Sequence, residues 1–250
     1  MMNPAEFANI AKCERDLWWY RGMRAIFFRM VEPYLRGRRI GRALEAGCGT
    51  GFFSHLLQTE WKLPVTPMDL SRDGLEYARG MGVERLVQGN VMELPFRTGA
   101  FDLVLSMDVL PHMRPGEEET PAREMGRVLA PGGLVVIRAA ALDVLRSRHS
   151  QFVMERQRFT RGKLTRLMSA VGVRTLRCTY ANSLLMPVAL AKFRLWEPLT
   201  GQAAASGVEN VAPWLDHLLY SVLAVEAATI GAGWNFPAGQ SLVYIGEKVG

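Results

Sequence analysis

A glycine-rich turn between a predicted strand and a predicted helix is the feature that most constrains the fold of this chain. Residues 43–46 form a short apolar run, and Gly47, Gly49 and Gly51 follow it within five positions. Glycine lets the backbone turn tightly and approach a ligand closely. In a doubly wound sheet such a turn at the carboxyl end of a strand is a ligand site, although closely spaced glycines also occur in purely structural turns.

The chain on either side of this turn alternates between short apolar runs and amphipathic segments. Strands are predicted at 43–46, 65–70, 84–88, 101–107, 134–140, 174–180 and 240–248. Helices are predicted at 51–59, 71–81, 117–129 and 159–171. The strands are apolar throughout rather than half polar, which indicates a parallel sheet covered on both faces and therefore an α/β fold.

Four regions follow from this pattern. Residues 1–40 place apolar side chains at helical spacing and predict an N-terminal helical cap. The core is expected at 41–183 and its last strand within 237–250. Residues 184–236 break the alternation, are rich in Leu, Ala, Pro and Trp, and are interpreted as a helical insertion that serves as a substrate lid.

Three side chains around the turn indicate the kind of ligand. Phe52 stands where a dinucleotide fingerprint has its third glycine, which disfavours a pyrophosphate. Glu45 would repel phosphate but can hold an ammonium group, directly or through water. Asp69 follows Gly51 by 18 residues at a strand end, where an acid hydrogen-bonds ribose hydroxyls. S-adenosylmethionine has an ammonium, a sulfonium and no phosphate, so the residues favour it.

The segment Leu44-Glu45-Ala46-Gly47-Cys48-Gly49-Thr50-Gly51-Phe52 resembles motif I of class I S-adenosylmethionine-dependent methyltransferases, in the small-molecule branch that includes ubiquinone/menaquinone-type enzymes. Further matches follow in the family's order at Asp69-Leu70-Ser71, 89–96, 101–112 and 127–133. Asn90 stands where the family usually has Asp; its amide suits an adenine amino edge, and a turn role is the alternative.

The resemblance implies a Rossmann-like three-layer αβα sandwich with a mostly parallel seven-stranded sheet, an antiparallel last strand and a helical insertion. It implies S-adenosyl-L-methionine as cofactor, S-adenosyl-L-homocysteine as product, and no metal. Similar enzymes cover the cofactor with an N-terminal aromatic helix, which brings in Tyr20 and Arg21. The residues expected to bind the cofactor are Glu45, Ala46, Gly47, Cys48, Gly49, Gly51, Asp69, Leu70, Asn90, Val91, Met107, Tyr20 and Arg21.

Two histidines are the candidate catalytic residues. His112 follows the fourth predicted strand, where a neutral imidazole can accept a proton from a hydroxyl, an amine or an activated carbon. The alternative is that His112 orders the loop between Pro111 and Pro115. His149 follows the fifth strand and either lines the acceptor site or belongs to a polar loop.

Composition bears mainly on partners. The net charge is +6, but the arginines are scattered rather than gathered in a stripe with aromatic residues, which disfavours a nucleic-acid partner. The three cysteines lack metal-ligand spacing and indicate a reducing compartment. No signal peptide is evident, and the apolar run at 218–233 is too short to span a bilayer, so a soluble cytoplasmic protein is expected, with peripheral membrane contact left open.

The aromatic residues of 184–236 favour a hydrophobic or aromatic small-molecule acceptor methylated on O, N or C by direct displacement. Three other functions stay open. They are a nicotinamide-dependent oxidoreductase, a non-catalytic protein that keeps the nucleotide-binding fold, and a ribosomal RNA or protein methyltransferase. The Asn-Pro-Pro-Tyr motif of many base N-methyltransferases is missing, because the fourth strand ends in Ser106-Met107-Asp108.

Overall fold

The computed structural model describes residues 3–200, 203, 205–207 and 211–250. Seven strands form one sheet in the order β3-β2-β1-β4-β5-β7-β6. They are β1 (Ala43–Ala46), β2 (Val65–Asp69), β3 (Val87–Gln88), β4 (Phe101–Met107), β5 (Leu129–Ala140), β6 (Val173–Ala181) and β7 (Ser241–Lys248). Strand β7 lies between β5 and β6 and is antiparallel to both, whereas the remaining neighbours pair in parallel. The predicted α/β fold with an antiparallel last strand is confirmed.

Helices connect the strands and precede the first one. They are α1 (Pro4–Cys13), α2 (Trp18–Leu35), α3 (Phe52–Thr59), α4 (Arg72–Gly80), α5 (Glu119–Val128), α6 (Arg148–Phe152), α7 (Arg161–Ser169), α8 (Met186–Ala191), α9 (Glu197–Thr200) and α10 (Pro213–Gly231). A π-helical turn, Lys192–Trp196, joins α8 to α9. Local signals fix several starts: the Ser71 hydroxyl accepts the Gly74 N–H and the Thr160 hydroxyl accepts the Lys163 N–H, as N-cap residues do.

The strand side chains divide into two cores, one on each face of the sheet. One face packs Leu103, Leu105 and Val136 beneath α2, α3 and α10. The other packs Val104 and Ile137 beneath α5 and α7. Side chains of a strand alternate between faces, so strands that are apolar on both sides must be covered twice. This gives the three layers.

Two strand boundaries differ from the predicted ones by more than one residue. Strand β5 begins at Leu129 rather than 134, because Leu129 pairs with Phe101 and the ladder continues after an irregularity that includes the turn glycine Gly132, whose φ is +73°. Strand β3 covers only Val87–Gln88 of the predicted 84–88, because Arg85 takes a left-handed conformation with φ +59°.

The segment after β6 has two structural parts. In the first, the Arg194 guanidinium donates to the Val144 carbonyl at 2.8 Å and the Arg148 N–H donates to Glu197 at 3.0 Å, so α8 and α9 lie over the loop that follows β5. In the second, α10 packs beside α2. Positions 201, 202, 204 and 208–210 of the predicted insertion, and 1–2 of the predicted cap, lie outside the described residues. The division into domains and the lid role stay predictions.

Helices α2 and α10 run in the same direction. Trp18 N–H donates to Asp216 at 2.8 Å, a Cβ added at Gly22 would stand 2.3 Å from a Leu223 methyl carbon, and one added at Gly231 would stand 3.4 Å from Arg29 Cβ. Gly22 therefore permits the close packing of the two helices.

Among the described residues, no helix has both the length and the apolar character that a bilayer-crossing segment requires.

Candidate functional site

The turn after β1 is held in a conformation that glycine adopts at little cost. Gly47, Gly49 and Gly51 have φ values of +87°, +56° and +76°. The N–H groups of Gly47 and Cys48 both donate to the Met68 carbonyl, at 2.8 and 2.9 Å, which fixes the turn against β2.

At two of these positions the lack of room for a side chain requires glycine, in addition to the backbone conformation. A Cβ at Gly47 would stand 2.2 Å from a Val109 methyl, and one at Gly51 would stand 2.4 Å from Ala78 Cβ. Gly51 is also the N-cap of α3. The turn therefore brings the start of this helix, with its backbone N–H groups, to the carboxyl edge of the sheet, where ligands of such folds bind.

Asp69, at the end of β2, lies directly beside the turn. Its Oδ2 accepts the Gly49 N–H and its Oδ1 accepts the Ser71 N–H, both at 2.8 Å. Burial raises the pKa of Asp69, and the two backbone hydrogen bonds oppose that shift. Each carboxylate oxygen keeps a further acceptor site, so Asp69 can receive two adjacent hydroxyls such as those of ribose.

Glu45 lies at the base of the turn and is 1% exposed. Its carboxyl accepts a hydrogen bond from the Ser54 hydroxyl of α3. Burial raises the pKa of Glu45 to about 8; the Ser54 hydrogen bond lowers it and the neighbouring Asp69 charge raises it. Glu45 is therefore mostly protonated at pH 7, and a cationic ligand would have to ionise it.

Arg138 of β5 and Asp108, just after β4, form an ion pair that sequence reasoning missed. Asp108 Oδ2 lies 2.8 Å from Arg138 Nε and 2.5 Å from one of its terminal nitrogens, and the guanidinium carbon lies 5.3 Å from the Trp19 ring centroid. Arg138 also lowers the pKa of Glu45. The sequence signal that could have indicated this pair is Arg138 itself, a lone arginine inside an otherwise apolar strand.

The N-terminal helices close this space from above. The Thr50 hydroxyl donates to Glu14 at 2.5 Å, and a Cβ at Gly49 would stand 3.9 Å from the Phe7 ring. Burial raises the pKa of Glu14 to about 6. Glu14 was also missed, and the sequence carries no signal for it, because the contact joins residues 36 positions apart.

The two N-terminal residues predicted to bind cofactor point to different places. Tyr20 packs edge to face against Trp19, with 4.9 Å between the ring centroids; burial raises the pKa of Tyr20, as do the Glu14 and Glu6 charges, while Arg138 lowers it. Arg21 instead reaches α10, where its guanidinium lies 2.6 Å from Asp216 and 4.3 Å from the Tyr220 ring centroid.

The remaining predicted cofactor residues spread along the carboxyl edge. Ala46 and Cys48 are buried beside the turn, Met107 is the last residue of β4, and Leu70 is 43% exposed after Asp69. Asn90 and Val91 follow β3 at the edge of the sheet. The Asn90 side-chain oxygen accepts the Met92 N–H at 3.0 Å, so this side chain does serve as a turn residue.

His112 closes a short 3-10 turn, Leu110–His112, after β4. Its Nδ1 is buried and has no hydrogen-bond partner among the described residues. Burial lowers the pKa of His112, while a backbone hydrogen bond with Met154 and the Asp108 charge raise it. The imidazole is therefore neutral at pH 7, which is the form that a general base requires.

His149 connects α6 to the segment before α10. Its Nδ1 accepts the Gly207 N–H at 2.9 Å and lies 3.8 Å from the buried Glu6 carboxylate of α1. His149 Nδ1 cannot both accept the Gly207 hydrogen bond and carry a proton toward Glu6. Because the Gly207 contact is the shorter one, the geometry favours the neutral imidazole. Burial, the largest effect on His149, also lowers its pKa. These contacts of His149 join α6 to Gly207 and to α1.

The site therefore combines a backbone cradle, a carboxylate suited to ribose, and a buried acid suited to a cation. Glu45, Asp69 and Glu14 place carboxyl groups around the turn, and the Arg138 guanidinium is already paired with Asp108. This donor set fits an adenosyl group carrying a positively charged amino-acid chain. Within the part of the chain that the structure describes, no group of three or more His, Cys, Asp or Glu side chains could hold a metal ion. The roles of individual residues toward a ligand stay predictions.

Comparison with known proteins agrees with this geometry. A sequence profile of the methyltransferase domain family matches residues 44–137. Norajmaline N-methyltransferase of Rauvolfia serpentina is 30% identical over 131 residues, 46% of this chain and 44% of that protein. The mouse protein named "Probable tRNA methyltransferase 9B" is 34% identical over 115 residues, 45% of this chain and 25% of that protein. The chain thus matches less than half the length of either relative.

Solved structures show the same fold over most of the chain. Phosphoethanolamine N-methyltransferase 2 of Haemonchus contortus, solved in complex with S-adenosyl-L-methionine, superposes with a TM-score of 0.57 at 20% identity. The superposition covers 93% of this chain and 53% of that one. The fold, from the first strand to the antiparallel last strand, is that of the class I S-adenosylmethionine-dependent methyltransferases.

Proposed function

We propose, from the premise that residues 44–137 belong to the methyltransferase domain family, that this protein transfers a methyl group from S-adenosylmethionine to a hydrophobic small molecule. The observation that carries the proposal is the turn after β1 together with the end of β2 beside it. The turn has three glycines with positive φ, and Asp69, at the end of β2, is hydrogen-bonded to the middle glycine. A pyrophosphate is disfavoured there, because Phe52 stands where a dinucleotide fingerprint has its third glycine.

Each part of the site has a role in this proposal. Asp69 receives the ribose hydroxyls, the 47–51 turn supports the cofactor, and Glu45 faces its ammonium group. Asn90, whose side-chain oxygen already accepts one hydrogen bond in its own turn, offers its amide N–H groups to the adenine side. When bound, S-adenosylmethionine supplies an electrophilic methyl group on a sulfonium.

The protein's contribution to the chemistry is chiefly positioning. Holding a nucleophile in line with a methyl group can lower the barrier by up to about 7–11 kcal/mol in favourable cases. His112 lies beyond β4 near Asp108 and is neutral, so it takes the proton when the acceptor is a hydroxyl or a protonated amine. His149 has protein partners on its Nδ1 side, and we assign it to positioning the segment around Gly207.

The acceptor space is proposed to lie under α8 and α9. Trp18 and Trp19 belong to the adjoining apolar core, which supports a hydrophobic acceptor. The norajmaline enzyme, named for a small-molecule N-methylation, supports the same substrate class. We also propose a cytoplasmic location.

A transfer RNA acceptor is the second candidate, since the mouse relative carries that name and the chain has a net charge of +6. Against it, several arginines are already engaged with carboxylates, among them Arg21, Arg138 and Arg158. A nucleic-acid site needs arginines that are available to phosphates.

The test has two stages. Calorimetric titration should show S-adenosylmethionine and S-adenosylhomocysteine binding at one site, while NADH binds more weakly; failure of both adenosyl ligands to bind would reject the proposal. Transfer of a radiolabelled methyl group is then measured to a panel of hydrophobic amines, phenols and carboxylic acids, and to total tRNA. Labelling of tRNA alone would establish the second candidate, and binding without transfer to any acceptor would favour a non-catalytic protein.

A further inference from the structure

Helix α10 is largely apolar although much of it is exposed. Leu223, Ala227 and Ile230 are buried against α2 and the sheet. The opposite side, here called the α10 outer face, consists of Trp214, Leu218, Ser221, Val225, Ala228 and Ala232, with the exposed His217 beside them. Trp214, Leu218 and Val225 are 69%, 54% and 61% exposed. A helix that is hydrophobic all round is normally covered all round.

The acidic side chains of α10 are turned away from this face. Asp216 pairs with Arg21 at 2.6 Å. Glu226 is completely buried and accepts the N–H groups of Ser183 and Leu184 at 2.9 and 3.0 Å. The outer face is therefore left without a carboxylate along about five turns of helix.

The hydroxyl groups on and beside the face are also satisfied within the helix. Ser221 Oγ donates to the His217 carbonyl at 2.8 Å, and Thr229 Oγ1 donates to the Val225 carbonyl at 2.9 Å. Both hydroxyl hydrogens would therefore stay bonded if this surface left water, which lowers the cost of burying these two side chains.

The surroundings of the face indicate what covers it. Trp214 lies in the first turn of α10, and Trp234, 70% exposed, lies just beyond its end. Tryptophan is enriched where a membrane meets water. Arg29 and Arg36 of α2 line a groove beside Ala228 and Ala232; Glu32, also in the groove, pairs with Arg36 and leaves one positive charge in excess.

We propose that the α10 outer face, flanked by Trp234 and Arg29, docks the protein on an anionic lipid surface, with the helix lying in the plane of the interface. Helices of this kind bind through buried apolar area together with attraction to anionic headgroups. The charge favours lipid over a second copy of the chain, because two copies would bring equal positive charges of +6 together. The proposal does not depend on the enzyme's acceptor.

The experiment is sedimentation of the full chain with large unilamellar vesicles. Wild type should bind vesicles of 70% phosphatidylcholine and 30% phosphatidylglycerol at least about tenfold more strongly than pure phosphatidylcholine vesicles, since an exposed cationic surface gains from anionic lipid. The triple variant Trp214→Ser, Leu218→Ser, Val225→Ser should lose at least about tenfold in binding. These side chains are exposed, so the variant should keep the wild-type melting temperature.

A matched pair separates local from overall charge. Arg29→Glu with Arg36→Glu should weaken binding to the anionic vesicles, whereas Arg123→Glu with Arg166→Glu should not; the second pair makes the same change in net charge on exposed positions of α5 and α7, in the layer on the other face of the sheet.

Three results would overturn the proposal: wild type remaining in the supernatant with anionic vesicles, equal binding by the triple variant, or equal weakening by both charge pairs. Analytical ultracentrifugation of the wild type and the triple variant measures their oligomeric state. A wild-type dimer that the triple variant converts to monomer would show that a second copy covers the face instead.

Discussion

We predict that Glu45 makes cofactor binding a proton-coupled event. The carboxyl is buried and burial raises its pKa to about 8, so only about one molecule in ten carries the charge at pH 7. If Glu45 faces the cofactor ammonium, the bound state needs the carboxylate. Binding must then release the Glu45 proton, and affinity must fall as the pH falls below 8.

The size of the effect follows from the ionised fraction. That fraction is about 0.01 at pH 6 and about 0.09 at pH 7, so the Kd for S-adenosylmethionine should decrease about ninefold over this unit. At pH 6.5 nearly one proton should leave per molecule bound. An α-amino group with an ordinary pKa of about 7.7–8.0 keeps its proton over this range, so the ligand charge stays nearly constant.

Calorimetric titration at pH 6.5 in buffers of different ionisation enthalpy counts the released proton directly. Glu45→Gln is the matched control, because it keeps a side chain that the Ser54 hydroxyl can reach but cannot ionise; its proton count should fall close to zero and its affinity should vary little with pH. Glu14, whose pKa burial raises to about 6, can add a fraction of a proton, and that fraction would survive in Glu45→Gln. A wild-type count near zero would refute the assignment of Glu45 to the ammonium.

Three further outcomes test the site. Gly51→Ala should lower the free energy of unfolding by about 3–5 kcal/mol, because φ is +76° and the new Cβ would stand 2.4 Å from Ala78 Cβ. Gly82→Ala, with the same φ of +76° but nothing within 4 Å, should cost only about 1–2 kcal/mol; equal urea midpoints for the two variants would contradict the packing argument. Asp69→Ala should weaken S-adenosylhomocysteine binding about 10- to 100-fold by calorimetry, since it removes charge-assisted hydrogen bonds, and unchanged affinity would remove Asp69 from the site. His112→Ala should reduce turnover on a hydroxyl or ammonium acceptor about 10²- to 10⁴-fold while leaving the cofactor Kd unchanged; unchanged turnover would leave His112 as a loop-ordering residue.

Local chemistry made the cofactor half of the molecule predictable. The turn residues Gly47 to Gly51, the strand that precedes them and the acid at the end of β2 lie within about 25 positions and follow rules of backbone geometry. The apolar strands were recognisable because parallel strands covered on both sides leave no polar face. Strand ends were less predictable, since Leu129 joins β5 only through its pairing with Phe101.

Contacts between distant positions account for what sequence reasoning missed. Arg138 and Asp108 meet because β4 and β5 are neighbours, and Glu14 reaches Thr50 only because α1 folds over the turn. Arg21 had the residue type expected of a cofactor ligand, yet Asp216, 195 positions away, takes its guanidinium. No periodicity within α2 could indicate that partner.

The same long-range contacts join the cover of the cofactor turn to the cover of the proposed acceptor space. Helix α1 rests on the turn through Glu14, and its Glu6 accepts the Ser206 hydroxyl at 3.1 Å. His149 holds the neighbouring Gly207 at 2.9 Å. Because one helix contacts both sides, a displacement of α1 would also break its contact with Ser206, which precedes α10. We predict that access to the two halves of the site is coupled in this way, through hydrogen bonds whose individual net energies are about 0.5–1.5 kcal/mol.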